Sequence, residues 1–144
     1  NAANRAGYAD RRTYFYKKKE IDRQVHLGID LASLANSPVP AANSGVVVLA
    51  ESLGIYGGTV IIDHGFGLFS MYSHLSFIGV KAGQPVEKGA IIGRTGSTGL
   101  AGGDHLHFSM LVHDTFVNPI VWWDQRCIRN NVTAKIDRVK TVLN

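Results

Sequence analysis

The middle of the chain alternates short apolar runs with turn-forming residues. Thirteen of the sixteen glycines lie between residues 54 and 103, and they separate apolar runs at 59–63, 68–74, 77–80 and 90–93. Two more apolar runs, at 46–50 and 105–112, flank this part of the chain. Runs of this length bounded by glycine are typical of short strands. The pattern predicts an all-β fold, either a sandwich or a partly closed barrel.

The start of the chain has a different pattern. It is polar without periodicity, and only the run at 13–16 is rich in β-prone aromatic residues, which predicts a first strand there. A length of 144 residues suits one folded domain. We therefore expect a loose lead-in at 1–11, a single domain at 12–124 and an extension at 125–144.

The end of the chain is the part with a helical pattern. Ile136, Val139 and Leu143 recur at helical spacing in a largely polar segment. Thr133 precedes them and is a residue type that commonly caps helix N-termini. We expect a short C-terminal helix that begins after Thr133.

Two histidines, separated by a single residue, occur in the run at 105–112. Residues two apart in a strand lie on the same face, about 6.6 Å from each other. His105 and His107 would thus share one face, and Leu106 and Phe108 would pack on the other. Both imidazoles can reach one site. The spacing leaves open whether both bind the same ion or one binds the ion while the other contacts a substrate.

His26 and Asp30 form a second pair, with Gly28 between them. An extended chain would hold their ends about 13 Å apart, but a turn at Gly28 would bring the imidazole and the carboxylate together. With one histidine of the 105/107 pair, they make a set of two histidines and one carboxylate. Such a set, with one coordination position left for water, is typical of catalytic zinc sites.

His74 ends the apolar run at 68–74, and strict alternation places it on the same face as Leu68, Ser70 and Tyr72. If this strand neighbours the one with two histidines, His74 and His105 would flank a zinc-bound water. Zinc lowers the pKa of that water towards about 7 and polarises a carbonyl, while a nearby imidazole handles the proton. Amide hydrolysis needs these three functions.

Other kinds of site have little support. Cys127 is the only cysteine, which excludes an intrachain disulfide and a cysteine-rich structural zinc site. The net charge of +4 is concentrated near the ends, and Arg11, Arg12 and the lysines at 17–19 do not alternate with aromatics along one element. We interpret them as a solvated basic face rather than a nucleic-acid site. No apolar stretch is long enough to span a membrane.

Four more residues are weaker candidates. His64 and His113 are interpreted as bystanders, the first hydrogen-bonded at a strand end and the second facing solvent. Asp104 is expected to form a turn rather than to orient a histidine. Tyr56, in a loop flanked by glycines, is a candidate hydrogen-bond donor to a tetrahedral intermediate.

Six motifs in this order resemble those of the lysostaphin-like (LytM-type) zinc peptidoglycan endopeptidases. They are His26-Leu27-Gly28-Ile29-Asp30-Leu31-Ala32, Ile62-Asp63-His64-Gly65, Tyr72-Ser73-His74-Leu75-Ser76, Gln84-Pro85-Val86-Glu87-Lys88-Gly89, Ile92-Gly93-Arg94-Thr95-Gly96-Ser97-Thr98-Gly99 and His105-Leu106-His107-Phe108. The resemblance implies a small antiparallel β-sandwich of the lysostaphin-like, duplicated hybrid motif type, with a groove over the zinc. It also implies a site made of the zinc ligands His26, Asp30 and His107 and the catalytic histidines His74 and His105.

The resemblance further implies a zinc-dependent endopeptidase that cuts peptide cross-links of bacterial peptidoglycan, in the periplasm or outside the cell. Cleavage of D-alanyl-diaminopimelate bonds is favoured, with glycine bridges as the alternative. Some relatives have lost zinc ligands and act only as activators of other wall hydrolases, whereas all five positions are present here, which favours an active enzyme. The alternative is a non-catalytic cell-wall-binding or amidase-activating module. The lysines at 17–19 stand where relatives often have a glycine in a turn. Because the chain begins with Asn1 rather than Met, we expect further domains of a longer parent protein.

Overall fold

The computed structural model describes residues 2–143. Within this range the chain forms thirteen strands followed by a helical segment. The strands are β1 (Ala3–Ala6), β2 (Arg11–Tyr16), β3 (Lys19–Val25), β4 (Ile29–Ala32), β5 (Pro38–Pro40), β6 (Gly45–Ser52), β7 (Gly58–Asp63), β8 (Leu68–Leu75), β9 (Phe77–Ile78), β10 (Pro85–Val86), β11 (Ile91–Arg94), β12 (Leu106–Val112) and β13 (Thr115–Val117). The predicted all-β fold is confirmed. In the same range, no helix has the length and apolar character needed to cross a membrane.

The strands form two layers. The main antiparallel sheet has the order β1-β4-β12-β8-β7-β6-β10, with β13 paired to β12, and a smaller sheet has the order β5-β11-β9. Val39 and Ile92 of the smaller sheet share one buried core with Ile29, Ile62 and Phe108 of the main sheet. The domain is therefore a small antiparallel β-sandwich, which is the architecture that the resemblance implied.

The observed strands coincide with the short apolar runs that glycine turns separate. The runs at 46–50, 59–63, 68–74 and 105–112 lie in β6, β7, β8 and β12. Between β7 and β8 the chain reverses through Gly65 and Gly67, whose φ angles are +83° and +73°. Residues other than glycine adopt such backbone angles at a cost in free energy, so these glycines allow the tight connection.

The N-terminal lead-in contains a strand that the sequence did not predict. Strand β1 pairs with β4 at the edge of the main sheet, with Ala3 opposite Ala32. Its residues are largely exposed, so the strand needs no apolar alternation and leaves no such signal in the sequence. The division into segments 1–11, 12–124 and 125–144 stays a prediction, although β1 adds backbone pairing from the first of them to the main sheet.

Strands β2 and β3 form a separate two-stranded hairpin, Arg11–Val25, that contains the predicted run at 13–16. Tyr16 pairs with Lys19, which leaves a two-residue turn at Lys17 and Lys18. Both turn residues have positive φ angles, +46° and +65°. A turn with two positive φ angles suits asparagine and glycine and matches the twist of a hairpin. The lysines thus occupy a conformation that favours glycine.

The C-terminal helix begins earlier than predicted. Helical structure runs through α1 (Gln125–Ile128), a π-helical turn (Arg129–Thr133) and α2 (Ala134–Leu143). The Asp124 side chain accepts hydrogen bonds from the backbone amides of Arg126 and Cys127, at 2.8 and 3.4 Å. The predicted cap at Thr133 is wrong, because Thr133 lies inside the helical segment and Asp124 satisfies the free amides at its start.

Candidate metal centre and catalytic groove

A bend at Gly28 brings His26 and Asp30 together, as predicted. His26 directly follows β3 and Asp30 lies in β4, and the distance from His26 Nε2 to Asp30 Oδ1 is 3.0 Å. A Cβ atom at Gly28 would lie 2.5 Å from the carbonyl oxygen of Phe108 and 2.5 Å from Ser109 Oγ. Residue 28 is therefore glycine because the bend packs directly against strand β12.

Strand β12 lies between β4 and β8 and supplies the second histidine of the cluster. His107 pairs with Asp30 on one side and with Ser73 on the other. As predicted, the two faces of β12 differ: Phe108 packs into the core, whereas His107 and Ser109 face the opposite side, where Ser109 Oγ lies 2.9 Å from His107 Nε2.

Three ligand-type atoms converge beside β12. His107 Nδ1 lies 2.9 Å from His26 Nε2 and 3.1 Å from Asp30 Oδ1. His26 Nδ1 donates to the carbonyl oxygen of Gly7 at 2.7 Å, which leaves Nε2 of a neutral ring with a lone pair facing the cluster. Acceptors this close repel each other unless they share a proton or a metal ion.

The cluster suits zinc in both size and donor type. Zinc bonds of about 2.1 Å in a tetrahedral arrangement would separate the ligand atoms by about 3.4 Å, slightly more than the distances in the cluster. All three side chains are buried. The hydrogen bond of His26 to Gly7 and that of His107 to Ser109 fix the ring orientations, as partners of metal-bound histidines commonly do.

His74 reaches this site only because its backbone is left-handed. Strand β8 neighbours β12, but its alternation places Tyr72 against Phe108 in the core, with ring centroids 5.3 Å apart. His74 would follow Tyr72 to that face. Its φ of +62° turns the side chain the other way, to a ring-centroid distance of 5.8 Å from His107. The prediction that His74 shares a face with Tyr72 is wrong, although the predicted neighbourhood of the two strands is confirmed.

His74 and His105 lie beside the three-atom cluster and are each held by a backbone carbonyl. His74 Nδ1 donates to Thr98 O and His105 Nδ1 donates to Gly103 O, both at 2.8 Å. Nε2 of each histidine is thus the ring nitrogen that can exchange a proton or contact a substrate. Burial lowers the pKa of His74, whereas the Asp30 carboxylate, with Oδ1 3.6 Å from His105 Nε2, raises the pKa of His105.

Asp30 is the electrostatic centre of the site. Burial alone would raise its pKa, but the three imidazoles around it, those of His105, His107 and His26, together with the hydrogen bond from Arg12 outweigh burial and hold the pKa well below its usual range. The carboxylate is therefore ionised throughout the neutral range and is a negatively charged donor for a cation.

Arg12 is not part of the solvated basic face that the sequence predicts, because its Nη2 donates to Asp30 Oδ2 at 2.7 Å. No local motif signals this contact, because Arg12 and Asp30 are brought together by the path of the β2–β3 hairpin. Arg11 and the lysines at 17–19 are exposed, as expected of a basic face.

The cluster lies in a groove with a volume of about 380 Å³. The β2–β3 hairpin supplies one set of lining residues, among them Arg12, Tyr14 and Ile21. Loop residues supply another, among them Tyr56, whose ring centroid lies 5.5 Å from that of His107. Burial raises the pKa of Tyr56, so its hydroxyl keeps its proton and can donate a hydrogen bond.

The remaining candidates lie outside the cluster. His64 bonds to Ser44 O at 2.8 Å and to Ser70 Oγ at 2.7 Å, which confirms the predicted hydrogen-bonded role. His113 lies in the β12–β13 turn and is exposed, as predicted. Asp104 contacts no histidine ring among the described hydrogen bonds and accepts instead from the Asn36 amide at 3.0 Å.

Comparison with known proteins identifies a family match. Residues 24–119 match Peptidase family M23. The segment contains the four histidines and the aspartate of the site described above, whereas Arg12 lies before it. Over 93 residues the chain is 41% identical to the peptidoglycan DD-endopeptidase ShyA of Vibrio cholerae, an alignment that covers 65% of this chain and 22% of that protein. The chain thus spans about a fifth of the length of the curated relatives it matches.

Solved structures show the same fold. The catalytic domain of the antimicrobial peptidase lysostaphin from Staphylococcus simulans aligns with a TM-score of 0.73 and 29% identity, covering 84% of this chain and 91% of that one. A zinc-containing peptidase from Vibrio cholerae aligns with a TM-score of 0.70 and 30% identity, covering 81% of this chain and 35% of that one.

Proposed function

Since the chain belongs to peptidase family M23, we propose that it is a zinc-dependent endopeptidase that hydrolyses peptide cross-links of bacterial peptidoglycan. The observation that carries the proposal is the convergence of three buried ligand atoms, from His26, Asp30 and His107, in an open groove beside two further imidazoles. A structural metal site would be closed by a fourth protein ligand, whereas three ligands beside a groove leave room for water and substrate.

His26, Asp30 and His107 would hold the zinc ion. Their donor types and mutual distances fit it, and the M23 match and the zinc-containing peptidase from Vibrio cholerae support the choice of metal. When bound there, zinc would lower the pKa of a water molecule and polarise the carbonyl of the scissile amide.

His74 and His105 would divide the proton transfers between them. The lowered pKa of His74 keeps its imidazole neutral at neutral pH, so its free Nε2 can accept a proton. In the acid role, His105 would carry a proton on Nε2 and donate it to the leaving amine, while its Nδ1 stays hydrogen-bonded to Gly103 O. Tyr56, whose ring centroid lies 5.5 Å from that of His107, would donate a hydrogen bond to the oxygen that becomes negative.

We propose the D-alanyl-diaminopimelate cross-link as the bond that is cut. The similarity to ShyA, a peptidoglycan DD-endopeptidase, supports this choice over a glycine bridge. Because its substrate lies in the cell wall, the enzyme would act in the bacterial envelope, in the periplasm or outside the cell. Further domains of a longer parent protein would be its other partners.

Digestion of purified sacculi tests the proposal. The zinc-loaded protein should release muropeptides, a chelator should stop the release, and added zinc should restore it. Mass analysis of the fragments identifies the bond, and diaminopimelate-type and glycine-bridged sacculi compared in parallel distinguish the two substrates.

Three variants assign the residues. His107→Ala should lose both zinc and activity. His74→Ala should keep zinc at one ion per chain and lose activity by about 10²- to 10⁴-fold. His113→Asn is the matched control, because His113 is exposed and asparagine tolerates its positive φ of +55°. Full cleavage by His107→Ala would disprove the ligand assignment. A zinc-loaded protein that binds sacculi but releases no fragment would instead be a wall-binding or amidase-activating module.

A further inference from the structure

The two carboxylate oxygens of Asp30 have different partners. Oδ1 lies 3.0 Å from His26 Nε2 and 3.1 Å from His107 Nδ1, inside the cluster. Oδ2 points out of the cluster and accepts the hydrogen bond from Arg12 Nη2 at 2.7 Å. The Asp30 side chain is 11% exposed, so the carboxylate is held within the site with one oxygen on each side.

Arg12 reaches Asp30 from a separate element. The β2–β3 hairpin pairs with neither of the two layers of the sandwich. At its base, backbone hydrogen bonds join Ala9 and Asp10 to His26. Among the side-chain hydrogen bonds described for residues 2–143, the Arg12–Asp30 bond alone joins Arg11–Val25 to the rest of the chain. The guanidinium therefore links the hairpin to the site.

Charge alone does not account for this arrangement. A guanidinium stays protonated under all physiological conditions, and a permanent cation beside a cation site repels the incoming metal ion. The contact instead fixes the orientation of the Asp30 carboxylate. Its Oδ2 accepts a short, charge-assisted hydrogen bond from Arg12 and is thereby held away from the cluster.

We infer that Arg12 is a positioning residue that makes Asp30 a one-oxygen metal ligand and thereby couples the β2–β3 hairpin to the metal site. The inference rests on the proposed zinc-dependent function. With Oδ2 engaged by Arg12, a second carboxylate oxygen does not take up the coordination position that water and substrate need. Because Arg12 also lines the groove, displacement of the hairpin by a substrate would change the orientation of Asp30.

Metal binding distinguishes a positioning role from a purely electrostatic one, because the two predict opposite signs. If Arg12 acts only by charge, Arg12→Ala removes a repulsion and tightens zinc binding. If Arg12 positions Asp30, Arg12→Ala should weaken zinc binding by about 10- to 100-fold, as loss of the partners that orient metal ligands commonly does. Competition with a chromophoric chelator measures the affinity without any assay of activity.

Cobalt substitution reports the coordination directly. The visible absorption of Co²⁺ weakens as its coordination number rises, so release of Oδ2 in Arg12→Ala should lower the absorption of the cobalt-loaded protein. Arg12→Lys keeps a charged donor on a long side chain and should recover part of both the zinc affinity and the cobalt absorption. Arg11→Ala is the matched control, since Arg11 precedes Arg12 in β2 but is exposed, and should match the unmodified protein.

The outcomes separate this inference from the proposed function. If the unmodified protein binds no zinc, the proposed function fails. If it binds zinc and Arg12→Ala, folded as judged by circular dichroism, binds zinc equally or more tightly with an unchanged cobalt spectrum, the positioning role is overturned. A variant altered only in its KM for sacculi would likewise overturn it and assign Arg12 to substrate binding.

Discussion

His74 and His105 face each other with ring centroids 4.8 Å apart, although regular alternation along β8, and along β12 extended back to His105, would place them on opposite faces of the sheet. The left-handed backbone at His74 produces the meeting. The two imidazoles have different surroundings, because the pKa of His74 is shifted mainly by burial and that of His105 mainly by the nearby Asp30 carboxylate. Two adjacent imidazole rings thus have pKa values that are shifted in opposite directions.

The order in which these histidines titrate is a first prediction. In the metal-free protein, His105 should take up a proton at a higher pH than His74, because Asp30 stabilises its charged form and burial destabilises that of His74. Proton-nitrogen correlation NMR of the two rings measures both titrations. In Asp30→Asn the titration of His105 should move to lower pH. Protonation of His74 before His105 would contradict the assignment.

A second prediction is that the pKa shifts of His74 and His105 change the pH dependence of stability in opposite directions. The lowered pKa of His74 contributes stability above its ordinary pKa of 6.5, and this contribution is lost as the pH falls. The raised pKa of His105 contributes stability below 6.5, and this contribution is lost as the pH rises through the folded-state value. On acidification below pH 6.5, metal-free His74→Asn should therefore lose less of its free energy of unfolding than the unmodified protein does, as urea denaturation would show. An equal or steeper loss in the variant would contradict this.

The close approach of Gly28 to strand β12 gives a third prediction. Gly28→Ala should lower the free energy of unfolding by about 2 kcal/mol or more, because the new methyl group meets the backbone of Phe108 and cannot be accommodated by a rotamer change. Gly102→Ala is the matched control, since a Cβ there has no neighbour within 4 Å, and should change stability by less than about 0.5 kcal/mol. Urea denaturation measures both variants. Equal stability of the two would show that β12 moves to admit the methyl group.

The hairpin turn gives a fourth prediction. Replacing Lys17 with asparagine and Lys18 with glycine should stabilise the hairpin by about 1 kcal/mol, because both positions have positive φ angles that suit the new residues. Since the hairpin is a separate sheet, slower amide hydrogen exchange within Arg11–Val25 is the appropriate measurement. Lys19→Gly, inside strand β3, is the control and should speed exchange.

The helix start gives a fifth prediction. Asp124→Ala should cost about 1 kcal/mol of helix stability, because the first amides lose their acceptor. Thr133→Ala should have little effect, since Thr133 lies inside the helical segment. Circular dichroism during urea denaturation compares the two variants. A larger effect at residue 133 would restore the prediction made from the sequence.

Parts of the site could be predicted because they obey simple local rules, whereas the spacing alone left open which of His105 and His107 joins His26 and Asp30. The alternation of residues in β12 separates His107 from Phe108, and a bend at Gly28 is enough to bring His26 to Asp30. Burial of apolar runs between glycines similarly accounts for the central strands. Such features depend on residues close together in sequence, and sequence patterns describe them well.

The features that could not be predicted depend on contacts between distant segments or on single backbone angles. The face of His74 depends on one φ angle that alternation does not contain. Arg12 contacts Asp30 because of the path of a whole hairpin, and an isolated arginine gives no signal of it. Strand β1 is exposed and pairs through its backbone, so its side chains carry no pattern.

The position of β12 in the main sheet determines when the site can exist. This strand is inserted between β4 and β8, yet it follows both in the chain, and it supplies His107 while its pairing brings Asp30 and Ser73 alongside. During synthesis from the N-terminus, His26 and Asp30 are therefore followed by roughly eighty further residues before His107 is added. A chain cut short before β12 lacks the third of the proposed zinc ligands, so the proposed hydrolysis would become possible only once most of the domain has been made.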